Sequence, residues 1–234
     1  MMRVGKFAFA GLVLAAMMVA LPSAPARADM VVVRAAGGSL KPGQTVATGV
    51  VLRLPPGATA TLMSQDGKTV SLTGPFSGAP ESVRVTGGDP KVVTALSRLL
   101  TAGTTDKASL GVTRGTHIRD PYAITKDGGS HCQVADRPPE FTRGMAIGSA
   151  SVSITSAAGT ESTVNWDDGS ATAAWPPGMP FIDGTYLLGS GRTAPVKLII
   201  RRMPSDVIGM AAQAAWMGEH GCRVQALALL DSIH

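Results

Sequence analysis

Residues 50–72 alternate between apolar and polar side chains with a period of two, which is typical of short strands with one buried face. Two turn signals divide this region into three strands. They are Pro55-Pro56-Gly57, where the prolines cannot donate backbone hydrogen bonds, and Asp66-Gly67. The apolar positions are Val50, Leu52, Leu54, Ala58, Ala60, Leu62, Val70 and Leu72. The pattern predicts three antiparallel strands that share one core face.

The length of each turn determines which residues pair across it. A two-residue turn at Asp66-Gly67 would send the apolar residues of its two strands to opposite faces. A three-residue loop, with Gly67 in the left-handed region, keeps them on one face. The same rule at Pro55-Pro56-Gly57 predicts a second hairpin. The predicted pairs are Leu62 with Val70 and Ala60 with Leu72 in one hairpin, and Leu54 with Ala58, Leu52 with Ala60 and Val50 with Leu62 in the other.

Glycines and strands follow a recognisable order between about Gly38 and Pro75. The order is G-x-L-x-x-G-x-x-x-x-T-G, then an alternating run, then A-T-L-x-x-x-D-G-K-x-V-x-L. It resembles the β domain of the FecR-like family, which occurs in bacterial exported and envelope-signalling proteins. The resemblance implies a small β domain with a role in the cell envelope. Unlike regulator-type members, this chain shows no internal membrane span before the domain, and an anti-sigma role is not expected.

A helix is predicted after the loop that covers residues 75–88. Asp89 can cap its first turn, Pro90 suits the first helical position, and Gly103 is a stop signal. Apolar residues at Val92, Val93, Leu96, Leu99 and Leu100 form one stripe. The stripe predicts that this helix packs on a core.

Residues 104–143 are polar and rich in glycine, and they are predicted to form a linker between two halves of the chain. His117 and Asp120 lie in this segment. Without a nucleophile motif nearby, they are interpreted as partners in a loop hydrogen bond and not as a catalytic pair.

The β pattern resumes in residues 144–234 and is followed by helical spacing. The predicted strands are Ile147 to Thr155, Ser162 to Trp166, Ala171 to Trp175, Phe181 to Leu188 and Ala194 to Met203. Ser205-Asp206 is predicted to open a helix, and a second helix over about Glu219 to Ser232 completes a hairpin that covers the sheet. The chain is therefore predicted to be an α+β protein. It would be mainly antiparallel β, in sandwich-like or small barrel units over residues 29–103 and 144–234, with one mid-chain helix and a C-terminal helical hairpin.

Two short motifs in this half resemble ligand-binding signatures. GSGRTA after a strand fits a dinucleotide-binding turn, but Pro195 and the run VKLII that follow predict a strand and not the helix such a turn needs. Asn165, Asp167 and Gly169 have part of the spacing of a calcium loop but lack its closing glutamate. We predict no cofactor and no metal for either motif.

The N-terminal 28 residues have the pattern of a secretory signal peptide. Arg3 and Lys6 precede an uncharged apolar run of 15 residues, and Ala26-Arg27-Ala28 is a small-x-small cleavage pattern. The run is shorter than the roughly 20 residues that span a bilayer, which favours cleavage over retention as an anchor. We therefore expect a periplasmic or secreted protein with no stable membrane span after cleavage.

Charge excludes one class of partner. The whole chain carries +5, but three of its 21 cationic residues lie in the first 28, which leaves 18 cations against 16 acids and a net charge of +2. No Lys/Arg run interleaved with aromatic residues is present. Nucleic-acid binding is not expected.

Cys132 and Cys222 are the only cysteines. In an oxidising compartment two cysteines favour a disulfide. A metal site is the alternative, because each cysteine has a histidine close by, His131 and His220. Neither pair has the spacing of a chelating loop, and neighbours on a strand point to opposite faces, so the disulfide is preferred.

No arrangement of residues in the sequence predicts a catalytic site, so the preferred hypothesis is an exported, non-catalytic module that contacts another envelope protein. Loops with Pro75, Phe76 and the segment WPPGMP are predicted to be exposed contact sites. The alternative is a glycan- or small-ligand-binding module, because Trp166 and Trp175 flank one turn and Tyr186 lies downstream. The preferred interpretation of the two indoles is that they fill the core, because aromatic residues make up only 4% of the chain and a core needs them. A secreted hydrolase is a third hypothesis.

Overall fold

The structure is a computed structural model of the chain and describes residues 28–47, 49–80, 89–105, 120–135, 137–144, 146–189 and 194–232. The strands are β1 (Ala28–Ala36), β2 (Thr45–Ala47), β3 (Leu52–Leu54), β4 (Thr59–Ser64), β5 (Thr69–Thr73), β6 (Phe76–Gly78), β7 (Ile124–Thr125), β8 (Gly129–Gln133), β9 (Glu140–Thr142), β10 (Ala150–Ser156), β11 (Glu161–Trp166), β12 (Thr172–Ala174), β13 (Gly184–Gly189) and β14 (Val196–Arg202). The helices are α1 (Pro90–Thr105), α2 (Met210–Glu219) and α3 (Arg223–Asp231).

The strands form four sheets. Their orders are β2-β1-β4-β5, β11-β10-β13-β14-β8, β12-β9-β7 and β3-β6. Neighbouring strands are antiparallel except in the pairs β14–β8 and β7–β9. The predicted α+β class, mainly antiparallel β with one mid-chain helix and a C-terminal helical pair, is confirmed.

The hairpin of β4 and β5 has the predicted register. Leu62 pairs with Val70 and Ala60 pairs with Leu72. Gly67 has a φ of 83°, and its backbone N–H donates to the Ser64 carbonyl across the turn. The three-residue loop therefore places the apolar residues of both strands on one face, because it preserves the alternation.

The second predicted hairpin is wrong. β3 pairs with β6, with Leu54 opposite Phe76, and β4 pairs with β1 on its other side. The pairs β3–β6 and β4–β5 are two halves of one long hairpin. Both of its arms bend, one at residues 55–58 and the other at residues 74–75. Pro55-Pro56-Gly57 is a corner in one arm, and Val50, expected in the core, is 44% exposed.

The bend allows the two halves of the long hairpin to enclose a core. Leu52 and Leu54 from β3 pack in one cluster with Leu62 and Leu72 from the other half. Both faces of β1 are buried. Val32 lies in this cluster, while its neighbours Val31 and Val33 pack on the other face in the cluster that contains the helices. A strand whose two faces are both buried has a continuous run of apolar residues, and β1 has such a run from Met30 to Val33.

Helix α1 follows the prediction closely. The Asp89 carboxylate accepts a hydrogen bond from the Lys91 backbone N–H at 2.9 Å and caps the first turn. Val93, Leu96 and Leu99 are buried in a cluster with the second face of β1. The helix extends to Thr105, two residues beyond the predicted stop.

The segment 104–143 is not a plain linker over its described part. It supplies β7, β8 and β9, and β8 completes the five-stranded sheet beside β14. Its strand GSHCQ carries polar residues that are nevertheless buried, including His131 and Gln133. The alternation of apolar and polar residues is absent, because both faces of this short strand are covered by other elements.

The C-terminal helices form the predicted hairpin, but the first begins later than expected. Ser205-Asp206 lies in a turn, and Gly209, with a φ of 88°, precedes α2. Buried small residues of α2 and α3 pack against α1, Val31 and Met63. The helix pair therefore covers the face of the β2-β1-β4-β5 sheet opposite the long-hairpin core.

Candidate functional site

Cys132 and Cys222 lie at disulfide distance. Their sulfur atoms are 2.07 Å apart and their Cα atoms 5.8 Å apart, within the usual range for a bridge. Cys132 lies on β8 and Cys222 at the start of α3, so the bridge links the edge of the five-stranded sheet to the helix pair. Within the described residues, no group of three or more His, Cys, Asp or Glu side chains is placed to hold a metal ion.

Gln225 reinforces this junction beside the cysteines. Its carbonyl oxygen accepts a hydrogen bond from the Cys132 backbone N–H at 2.6 Å. Its amide nitrogen donates to the carbonyls of Cys132 at 3.2 Å and Pro121 at 2.8 Å. The buried side chain thus takes the place of a neighbouring strand at the edge of β8. Sequence reasoning missed this residue, because one glutamine on a helix carries no signal of a distant partner.

His131 lies on the opposite face of β8 from its neighbour Cys132, as strand geometry requires. Only 4% of its surface is exposed, and its Nε2 is 3.3 Å from both the Thr125 hydroxyl and the Gly128 carbonyl. Its Nδ1 is buried and has no hydrogen-bond partner among the described residues. Burial lowers the pKa of His131 to about 4, although the hydrogen bond to Gly128 opposes the shift. The ring is therefore neutral at pH 7.

The aromatic residues predicted to bind a glycan belong to a core. Trp166 and Tyr186 are each 2% exposed. Phe141 stacks on Trp175 at a centroid distance of 5.5 Å, and Trp175 meets Tyr186 edge-on at 5.3 Å. Two of the three aromatic residues named for the site are thus inaccessible, and Trp175 is half-buried, so the three side chains do not form an exposed face for a glycan. Their side chains fill the space between the five-stranded and three-stranded sheets.

The two predicted contact loops are only partly exposed. Pro75 is exposed, whereas Phe76 is half-buried and packs on the core of the long hairpin. In WPPGMP, Trp175 is half-buried, and the Trp175 indole N–H donates to the Met179 carbonyl at 3.0 Å. The turn closes on itself, and the side chain of Met179 is buried. Pro75 of the first loop and Pro177, Gly178 and Pro180 of the second are exposed.

The predicted loop hydrogen bond between His117 and Asp120 stays a prediction. His117 lies outside the described residues. The Asp120 carboxylate pairs with the Arg137 guanidinium, which also lies 5.3 Å above the ring of Tyr122. The Tyr122 hydroxyl in turn donates to Gln213 of α2 at 2.5 Å. The Asp120 carboxylate therefore holds the Arg137 guanidinium beside the ring of Tyr122.

Arg143 is a buried cation that sequence reasoning also missed. Its Nε donates to the Ser170 carbonyl at 2.7 Å, and one terminal nitrogen donates to the carbonyls of Gly148 at 2.7 Å and Asp167 at 2.9 Å. It holds the turn after β11 against the start of β10. Asp167 and Asp168 are exposed in this turn, and the Asp168 carboxylate accepts the Gly148 N–H.

An open cavity of 330 Å³ lies where the loop after β8 meets the end of β14. Its walls include two arginines, Arg137 and Arg202, and the apolar rings of Phe181, Pro138 and Pro139. None of the described residues that line it is acidic. No sequence motif pointed to these residues, because they come from three separate segments.

A second accessible feature is the outer edge of β5. In the part of the chain that the structure describes, no strand pairs with this side of β5. Its sequence TVSLT has no charged residue and no proline. Thr69, Ser71 and Thr73 are exposed.

Comparison of the chain with family models, with curated proteins and with solved structures finds no match. The FecR-like resemblance and the envelope role that it implies therefore stay predictions. Among the described helices, none combines the length and the apolar character that crossing a membrane requires.

Proposed function

We propose that this protein is exported to the periplasm or cell envelope and acts there without catalysis, as a protein-interaction or signalling-accessory module. The signal-peptide pattern of residues 1–28 and the FecR-like order of residues 38–75 support this proposal. The cysteine pair at disulfide distance is compatible with an oxidising compartment.

The observation that carries the interaction role is the free edge of β5. An edge strand presents unpaired backbone N–H and C=O groups, and proteins usually protect such edges with charges, prolines or bulges. β5 has none of these over its five residues. By contrast, the edge of β8 is covered by Gln225. We propose that an extended segment of an envelope protein adds to the sheet at β5, with main-chain hydrogen bonds giving most of the affinity.

The interaction is tested by cross-linking in intact cells, with a photo-reactive residue at Thr73 and mass spectrometry of the captured protein. Ser71→Lys places a charge on the exposed side of β5 and is expected to reduce the captured amount severalfold. Ser151→Lys is the matched control, because Ser151 is exposed on β10, which lies inside its sheet. Equal capture by the two variants, or no captured envelope protein at all, would refute the proposed role of β5.

Export is tested separately by cell fractionation and by the mass of the mature protein. Cleavage after Ala28 would make Asp29 the first residue. Met30, two positions beyond this site, is already buried, so cleavage there would keep the core residues of β1. A full-length protein that remains in the cytoplasm with both thiols free would contradict export.

A further inference from the structure

The cavity beside Arg202 has both cationic and apolar walls. Its residues take no part in the proposed interaction at β5. Phe181, Pro138 and Pro139 present apolar rings, and Arg137 and Arg202 present guanidinium groups. At 330 Å³ the cavity is near the lower end of the range for small-ligand sites. Its size and lining suit a small molecule or the last residue of a peptide.

The two arginines differ in how much of their hydrogen-bonding capacity is free. Arg137 already pairs with Asp120 and lies over Tyr122. The Arg202 guanidinium has no hydrogen bond or ion pair within the described residues, although its backbone N–H donates to the Asp183 carboxylate at 2.7 Å. Among the described residues, none pairs with the five N–H donors that this planar fork presents at the cavity wall. Such a fork matches the two oxygens of a carboxylate.

The walls of the cavity are held in place before any ligand binds. The buried Gln133 amide nitrogen donates to the carbonyls of Arg137 at 3.3 Å and Pro138 at 3.5 Å. The Trp175 backbone N–H donates to the Pro139 carbonyl at 3.2 Å. Phe181 packs edge-on against Trp175 with ring centroids 4.9 Å apart. A pre-formed site loses less conformational entropy on binding, which favours affinity.

We propose that this cavity binds a monocarboxylate that carries an apolar or aromatic body. The carboxylate pairs with the Arg202 guanidinium, and the body packs against Phe181 and the rings of Pro138 and Pro139. Two sources share this chemistry, a free organic acid and the carboxyl-terminal residue of a peptide. The site is distinct from the β5 edge, so the two proposals can fail independently.

Binding is tested by NMR titration of the mature protein with phenylacetate and with its neutral counterpart phenylacetamide. Phenylacetate is expected to shift the resonances of residues around Phe181 and Arg202 saturably, with weaker binding at higher salt. Phenylacetamide is expected to bind at least about tenfold more weakly, because it lacks the charge that makes the hydrogen bonds to arginine strong.

A second pair of probes, acetyl-Ala-Ala-Phe with a free and with an amidated carboxyl terminus, distinguishes the two sources of the carboxylate, a free organic acid and the end of a peptide. Whichever acid binds more tightly is the closer mimic of the natural ligand.

Arg202→Gln and Arg201→Gln form a matched pair for this test. Both residues are exposed at the end of β14 and both substitutions remove one positive charge, but Arg201 does not line the cavity. Arg202→Gln is expected to weaken phenylacetate binding at least about tenfold, while Arg201→Gln leaves it nearly unchanged. Arg202→Lys, which keeps the charge and loses the fork, should give an intermediate loss.

Three results would overturn the carboxylate site. They are no saturable binding of either acid, equal binding of acid and amide, and equal loss of affinity in the two arginine variants. Circular dichroism of each variant verifies that the fold is kept, which is expected because both guanidinium groups lie at the surface.

Discussion

His131 illustrates how the position of one side chain sets the response of the fold to acid. The imidazole lies between β7 and the end of the β14–β8 pair, where solvent cannot stabilise a positive charge. Its pKa is lowered from 6.5 to about 4 by burial. Between pH 6.5 and about pH 4 the unfolded chain therefore binds a proton at this residue that the folded protein does not.

The first prediction follows from this difference. The free energy of unfolding should fall as the pH is lowered from 6.5 toward 4, by at most about 3 kcal/mol from this residue, and this contribution should level off below pH 4. Urea unfolding at a series of pH values measures the effect. His131→Leu should remove this part of the pH dependence, and the matched control His220→Gln, which loses an exposed histidine, should keep it. An identical pH profile in the protein and in His131→Leu would contradict the account.

A second residue, Gln225, satisfies three backbone groups with one side chain. Gln225→Ala would leave the buried N–H and C=O of Cys132 and the half-buried C=O of Pro121 without these partners. We expect a loss of about 3 kcal/mol in the free energy of unfolding, measured with urea. Gln44→Ala, at an exposed glutamine in a turn, should change it by less than about 0.5 kcal/mol. Similar values for the two variants would show that the amide does not hold the edge of β8.

At the scale of elements, the long hairpin depends on the close approach of its two arms at the bend. A Cβ atom on Gly74 would lie 1.8 Å from the Pro55 carbonyl oxygen, closer than any contact between real atoms. The Gly74 backbone N–H also donates to the Ala58 carbonyl at 2.8 Å. The corner at Pro55-Pro56-Gly57 therefore requires a glycine opposite it.

The third prediction is that Gly74→Ala destabilises the protein by more than about 2 kcal/mol, because one arm must shift to admit the methyl group. Thermal unfolding followed by circular dichroism measures the change. Gly144→Ala is the control, since a Cβ there meets no atom within 4 Å and the residue has no positive φ. A melting temperature for Gly74→Ala equal to that of the control would mean that the arms do not meet as described.

Strands also differ in how well the sequence predicts their pairing partners. The turn at Asp66-Gly67 joins neighbouring strands, and its length alone determines that Leu62 faces Val70. The strand β3 has an equally clear alternation, but its partner β6 lies 22 residues away from Leu54 in the chain. Alternation specifies which face of a strand is buried and contains no information on which strand lies beside it.

At the scale of the whole molecule, the helix pair joins the two β regions. Val31 of β1 and Leu96 of α1 share one buried cluster with Ala214 of α2 and Ala226 of α3, and Cys132 of β8 belongs to the same cluster. The bridge between Cys132 and Cys222 crosses this junction with a sequence separation of 90 residues. Closing so long a loop restricts the unfolded chain considerably.

The fourth prediction concerns this bridge. Replacing both cysteines by alanine should lower the free energy of unfolding by about 4 kcal/mol in the chain-entropy model. Guanidinium unfolding with and without reductant measures it. Reductant present throughout unfolding should lower the stability of the native protein toward that of the double variant and leave the double variant unaffected. Two free thiols in the exported protein would contradict the bridge.

The sequence by itself determined the local features of this protein: the α+β class, the cap and stripe of α1, the register of the β4–β5 hairpin and the pairing of its only two cysteines. Each depends on neighbouring residues or on simple counting. Tertiary structure decided the partner of β3, the inclusion of β8 in a sheet, the burial of Trp166 and Tyr186, and the cavity between Arg137 and Arg202. These features bring together residues that are far apart in the chain, and the packing free energy that selects such contacts depends on the shape of the whole core and not on any local pattern.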